Sequence, residues 1–194
     1  MRLTCLLLCS LLIGGCSSAA SVAPADPHVS SDQEQAVWSS VLSTFVADST
    51  RQLVVRDSAN PLPRRVIDDR ELLRRFPEAS EDLVGSFIDA NSLGRVMPRV
   101  DDAAVPVLYI TQAALAPFES AGNPNDYWEA FYAAYPGSPG LIRLSRVGFD
   151  RSSGHAMVFV SHWCGGRCGS GAYTLLSRNG EGWVVIDRWV VVVS

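Results

Sequence analysis

Residues 141–194 read LIRLSRVGFDRSSGHAMVFVSHWCGGRCGSGAYTLLSRNGEGWVVIDRWVVVVS, and the reading of this stretch decides the fold. β-Branched and aromatic residues dominate it, and clusters of Gly, Ser, Asn and Asp interrupt it at short intervals. That pattern predicts four antiparallel strands, 141–149, 156–163, 172–178 and 183–193, in a meander. In 141–149 the residues Leu141, Arg143, Ser145, Val147 and Phe149 share one face, and both faces are mixed, so the strand is read as partly covered on both sides. Met157, Phe159 and Trp163 point one way in the next strand; Ala156, Val158, Val160 and His162 point the other.

Asn179-Gly180 separates two β-prone runs and is the favoured pair for a type I′ turn, because both residues tolerate positive φ. A two-residue turn centred there would pair Arg178 with Glu181 and Leu176 with Trp183. The run Val190-Val-Val-Val193 predicts burial on both faces, since an open apolar edge invites aggregation.

Working back toward the N-terminus, Asp126-x-x-Glu129 looks like a helix start. Trp128, Phe131, Tyr132 and Tyr135 then recur at helical spacing, predicting a helix over 126–135 whose aromatic face packs on the sheet. A carbohydrate-binding platform is the sharper reading of the same stripe. Residues 136–140, Pro-Gly-Ser-Pro-Gly, stop the helix and deliver the chain into the sheet. Ser31-x-x-Glu34 fits a capping box ahead of a stripe formed by Trp38, Val41, Leu42 and Phe45. A short strand over 52–56, a loop over 60–63, a helix over 68–76 and a possible strand over 107–111 are also read. Ser80 caps a further helix that buries Leu83, Val84, Phe87 and Ile88 and ends at Asn91 or Gly94.

Residues 1–15 read as a targeting segment: Arg2, an apolar run from Leu3 to Ile13, then small residues. The run is too short to span a bilayer, which takes about 20 apolar residues. Ile13-Gly14-Gly15-Cys16 resembles the lipobox of bacterial lipoproteins. The resemblance implies that Cys16 becomes the mature N-terminus and carries the acyl chains, several of which make a stable membrane anchor. Ordinary secretion with cleavage after Ala20 is the blander reading. Ser17 after the cysteine implies passage to the outer membrane, with the protein facing the periplasm. Residues 16–30, rich in Ser, Ala and Pro, read as a lipidated flexible tether, and 31–194 as a single α+β domain.

All 16 basic residues are Arg, with 20 acidic residues and a net charge of −4. The charges are interspersed, so no nucleic-acid partner is indicated. Tyr127-Trp-Glu-Ala-Phe131, Leu144-Ser-Arg-Val-Gly-Phe149 and Cys164-Gly-Gly-Arg-Cys-Gly-Ser-Gly171 are similar to a group of small uncharacterised bacterial exported proteins with a Cys-Gly-Gly-x-Cys-Gly hairpin. That group has no assigned activity, so the resemblance implies none.

Of the 5 cysteines, Cys5 and Cys9 leave with the signal and Cys16 is lipidated, which leaves Cys164 and Cys168. In an exported chain these read as a disulfide stapling the hairpin, worth about 2 kcal/mol for so short a loop. Two alternatives stay open: a metal site of His162, Cys164 and Cys168, and a catalytic cysteine with His162 as base. Gly165, Gly166, Gly169 and Gly171 read as residues supplying turn φ values; a backbone anion nest beside Arg167 is the alternative. His162 and Arg167 are therefore candidate ligand contacts. No cofactor motif, metal set or acid–base carboxylate pair is recognised. The sequence points to α+β architecture, with N-terminal helices packed on a C-terminal antiparallel sheet. It suggests a lipid-anchored envelope protein that binds a protein, peptidoglycan or lipid partner, or is structural, without catalysis. The alternative is a hydrolase or a thiol- or metal-dependent enzyme centred on His162, Cys164 and Cys168.

Overall fold

The computed structural model describes residues 31–59, 68–92, 95–97, 99–101, 103–120, 122–150, 154–180 and 182–193. The signal, the lipidation site Cys16, the tether and the loop over 60–63 lie outside the described residues. In chain order the first elements are α1 (Ser31–Ser43), β1 (Leu53–Arg56), β2 (Ser58–Ala59), α2 (Asp69–Arg75) and α3 (Glu81–Ala90). Then come β3 (Arg95–Val96), β4 (Val107–Ile110), α4 (Gln112–Glu119) and α5 (Pro124–Ala134). The C-terminal strands are β5 (Leu141–Leu144), β6 (Gly148–Asp150), β7 (His155–Gly165), β8 (Cys168–Asn179) and β9 (Gly182–Val193).

The class is α+β, with helices concentrated in the N-terminal part and strands in the C-terminal part. β5, β7, β8 and β9 form the antiparallel meander read from the sequence. The sheet as a whole is mixed, however, in the order β4-β1-β5-β7-β8-β9. β1 pairs in parallel with both β4 and β5, and α4 and α5 make the crossover between β4 and β5. Strands of 4 residues such as β1, β4 and β5 carry no mark of partner direction, which is why the parallel half is not legible in the sequence.

Alternation along the strands sends side chains to two covered faces. On one face α1 lays Val37, Trp38, Val41 and Leu42, all fully buried, over Leu53, Val55, Ile142, Val158 and Leu176. On the other, α2 and α3 bring Leu72, Phe76, Leu83 and Phe87 onto Met157, Tyr173 and Leu175. Next to them Leu115 of α4 and Phe131 of α5 cover Val54 and Leu141. Each such side chain contributes roughly 1.5–3 kcal/mol through burial. Ser80 caps α3 as its position suggests: its Oγ accepts from Leu83 N at 3.0 Å and donates to the buried Asp150 carboxylate. Gly148 permits this contact, because a Cβ there would overlap the Phe87 backbone.

Several details depart from the sequence reading. The strand expected over 141–149 is two strands in line, β5 and β6, both paired with the same side of β7. The break falls at Ser145–Val147 because polar groups take over the backbone there. Ser145 Oγ accepts from Phe159 N at 2.8 Å, and Trp38 Nε1 donates to Ser145 O at 3.2 Å. The capping box read at α1 involves residues at the edge of the described chain, and Glu34 is seen to reach elsewhere. Its carboxylate instead accepts from Arg146 Nε and Nη2, both at 2.6 Å, and from Val147 N at 3.0 Å. α5 begins two residues earlier than read: Asn123 is its cap, accepting from Asn125 N and Asp126 N, with Pro124 in the first turn. α4, capped by Thr111, was not read at all.

The β8–β9 register is also shifted. Asn179 pairs with Gly182, Arg178 with Trp183 and Leu176 with Val185, so Asn179 closes the ladder and Gly180, at φ +61°, opens the turn. Glu181 lies outside the described residues. The valine run is not buried on both faces. β9 ends the sheet, and Val190, Val192 and Val193 are 47, 40 and 79% exposed. Strand order, not composition, sets that exposure. Two register irregularities against β8 and the Asp187-Arg188 pair twist and charge this edge, which are common protections against edge pairing.

Candidate functional site

The last residue of β1, Arg56, points to the same face as Val54, and Arg143 of β5 to the same face as Leu141. Val54 pairs with Leu141 and Val55 with Ile142. One step further along these parallel strands, Arg56 and Arg143 are therefore neighbours on the face that α4 and α5 cover. Arg56 is only 6% exposed. The Nε atoms of both arginines are buried and make no hydrogen bond. Among the described residues neither side chain is in an ion pair. Burial and the neighbouring Arg56 charge push the Arg143 guanidinium below its ordinary range. A guanidinium nevertheless stays protonated at neutral pH. Two neighbouring like charges, one buried and one half-buried, neither in an ion pair, are a costly arrangement in a folded chain.

Arg143 lies at the wall of an open cleft of about 490 Å³ between α5 and the strand ends. Tyr127, Trp128, Trp163 and Phe118 supply aromatic surface around it. The α5 stripe thus divides. Phe131 is core, whereas Tyr127 and Trp128 are half-buried and face the cleft, their rings 5.0 Å apart and edge to face. Tyr132 turns to the hairpin and donates its hydroxyl to Cys164 O at 2.9 Å, holding α5 against β7. Glu119 sits at the rim, its carboxylate accepting both contacts from Gln112 Nε2, at 2.8 and 2.9 Å. Burial and Glu119 raise the Tyr127 phenol above its ordinary range, against the opposing pull of the two arginines.

The residues singled out in the sequence lie nearby but do not form a reacting group. The Cys164 and Cys168 sulfurs are at disulfide distance, with Cα atoms 5.0 Å apart, across the tip of the β7–β8 hairpin. His162 makes no set with them: its Nε2 is 2.9 Å from Pro139 O, and its ring lies 5.0 Å from that of Phe45. Among the described residues no group of three His, Cys, Asp or Glu side chains is placed to hold a metal ion. Arg167 is exposed at the hairpin tip. None of Gly165, Gly166, Gly169 or Gly171 has positive φ, so these glycines neither supply left-handed turn positions nor build an alternating-handed anion nest. Gly171 answers to space instead, since a Cβ would press on Phe159 Cζ and Val192.

Arg56 and Arg143 were missed in the sequence. The available signal was an arginine closing or interrupting an otherwise apolar strand, Leu53-Val-Val-Arg56 and Leu141-Ile-Arg-Leu144. Among the described residues no helix is long and apolar enough to cross a membrane. Comparison with family models, with curated proteins and with solved structures gives no match.

Proposed function

We propose that this chain is a lipid-anchored binding protein of the bacterial cell envelope, held at the outer membrane through Cys16 and facing the periplasm, and that it is not an enzyme. The cleft beside α5 carries the binding reading. It offers aromatic walls and a guanidinium, the contacts a ligand needs, and none of its described lining residues is Ser, Thr, Cys or His. The lipobox resemblance of Ile13-Gly-Gly-Cys16 supports the anchor. The disulfide-distance pair Cys164–Cys168 is in keeping with an oxidising compartment. A thiol- or metal-dependent reaction at His162, Cys164 and Cys168 has less support, because each of these groups already has another partner. The cleft opens toward whatever the envelope presents: a protein, peptidoglycan or a lipid headgroup.

Growth with radioactive palmitate, followed by purification, tests the anchor. The parent protein should carry label and the Cys16→Ala variant should not; an unlabelled parent refutes the lipid attachment. Crosslinking from intact cells tests the binding role. A Trp128→Ala variant should lose a crosslinked partner that the parent retains, and identical crosslink patterns would count against the cleft.

A further inference from the structure

We propose that Arg143 at the cleft wall, with the buried Arg56 charge behind it, receives one anionic group, a carboxylate or phosphate, of a ligand whose ring lies against Tyr127, Trp128 and Trp163. This rests on reading the cleft as a binding site, and it does not depend on the lipid anchor. The argument begins with what the chain tolerates. Strand positions beside Val54 and Leu141 face an aromatic core, and an apolar residue would suit either. The chain instead places two guanidiniums there, side by side, with both Nε–H groups buried and unused. Guanidinium forks bind carboxylate and phosphate oxygens in a planar, two-point geometry, and an anion at Arg143 would offset the repulsion between them.

The surroundings define the rest of the ligand. Flat aromatic faces beside a fixed cation match a sugar or aromatic ring that carries the acid. Glu119, fixed by Gln112 at the rim, offsets one of the two positive charges. The cleft therefore suits a ligand with a single acidic group and disfavours polyanions. The N-terminus of α5 is not the receptor, because Asn123 already accepts from its first free N–H groups at 2.8 and 3.0 Å.

The test uses the full chain in detergent, with tryptophan fluorescence as the readout and three probes: glucuronate, glucose 6-phosphate and glucose. At least one of the two acidic sugars should give a saturable change, and which one responds separates carboxylate from phosphate. Glucose should give none at the same concentration. Arg143→Gln should weaken the response at least tenfold, with Arg143→Lys in between, while the far-ultraviolet circular dichroism of both stays that of the parent. Should Arg143→Gln misfold, Trp128→Ala provides the second arm. It should weaken the acidic sugar while leaving the thermal shift given by inorganic phosphate in place. An equal response to glucose would leave the cleft a binding site but overturn the role of charge. Silence from both acidic sugars, or an Arg143→Gln variant that titrates like the parent, overturns the inference outright.

Discussion

Among the described residues two places draw arginine into the interior, and they do it in opposite ways. Where α1 and α3 meet the β5–β6 break, Arg146 gives Nε and Nη2 to the two oxygens of Glu34, each at 2.6 Å. Its backbone is bracketed by Asn91, whose Oδ1 accepts from Arg146 N at 2.9 Å and whose Nδ2 donates to Arg146 O at 3.0 Å. At the β1–β5 ends, Arg56 and Arg143 lie beside each other with no carboxylate in an ion pair, and Glu119 acts on Arg143 only from the cleft rim. The first site is a circuit in which carboxylate, guanidinium fork and backbone answer one another, as a structural joint requires. In the second, Arg143 lies at the wall of a cleft and Arg56 is buried behind it. On the proposal made above, the contrast separates charge buried for the fold from charge kept for a ligand.

The largest effect should come from breaking the Glu34–Arg146 circuit. Glu34→Ala leaves the Arg146 guanidinium and the Val147 N–H without their acceptor, which should lower the unfolding free energy by about 3–5 kcal/mol in urea titration. The double variant Glu34→Leu/Arg146→Met should lose clearly less than the single one, because a buried pair replaced by apolar groups of similar volume is far cheaper than a pair broken in half. A loss under about 1 kcal/mol for Glu34→Ala would erase the distinction between the two sites.

A smaller effect is expected at the hairpin that borders the cleft. Replacing Cys164 and Cys168 together by Ala should cost about 2 kcal/mol, the chain-entropy value for so short a loop. Tyr132 would still hold α5 through the Cys164 carbonyl, so the cleft should survive the change. A loss of cleft ligand larger than the loss of stability would mean that the clasp positions Trp163 as well as closing the hairpin.

What the sequence disclosed follows from how far apart the deciding residues lie. Asp68, read as part of α2, is in fact its cap, whereas the cap of α3, Ser80, binds an N–H three residues on and is legible from spacing alone. So are the buried faces of α1 and α3. The break at Ser145 is not legible, because the group that stabilises it, Glu34, comes from 113 residues away. The β8–β9 register slipped by two because a short signal such as Asn-Gly locates a turn without saying which of its residues closes the ladder. Val190–193 looked like an interior strand because β-branched runs are common there, but position in the sheet order is a property of the whole chain. The arginine pair is the extreme case. Arg56 and Arg143 become neighbours only through a parallel pairing that brings β1 beside β5.

The smallest expected effect, and the one of opposite sign, belongs to the second site. Arg56 is 6% exposed and its Nε has no partner, so in the ligand-free protein it is a liability. Arg56→Met keeps most of the length and removes the charge. It should therefore raise stability by about 1 kcal/mol, seen as a Tm higher by roughly 2–4 °C. Arg143, which reaches the cleft and gains some relief from Glu119, should return less on the same substitution. A destabilisation of Arg56→Met comparable to that of Glu34→Ala would mean that the guanidinium braces the β1–β5 joint by itself. The reason for keeping two unmatched cations would then lie in the fold, and the parallel with Arg146 would be restored. A stabilised variant would leave the charge with no structural duty, so that its presence has to be explained by what enters the cleft.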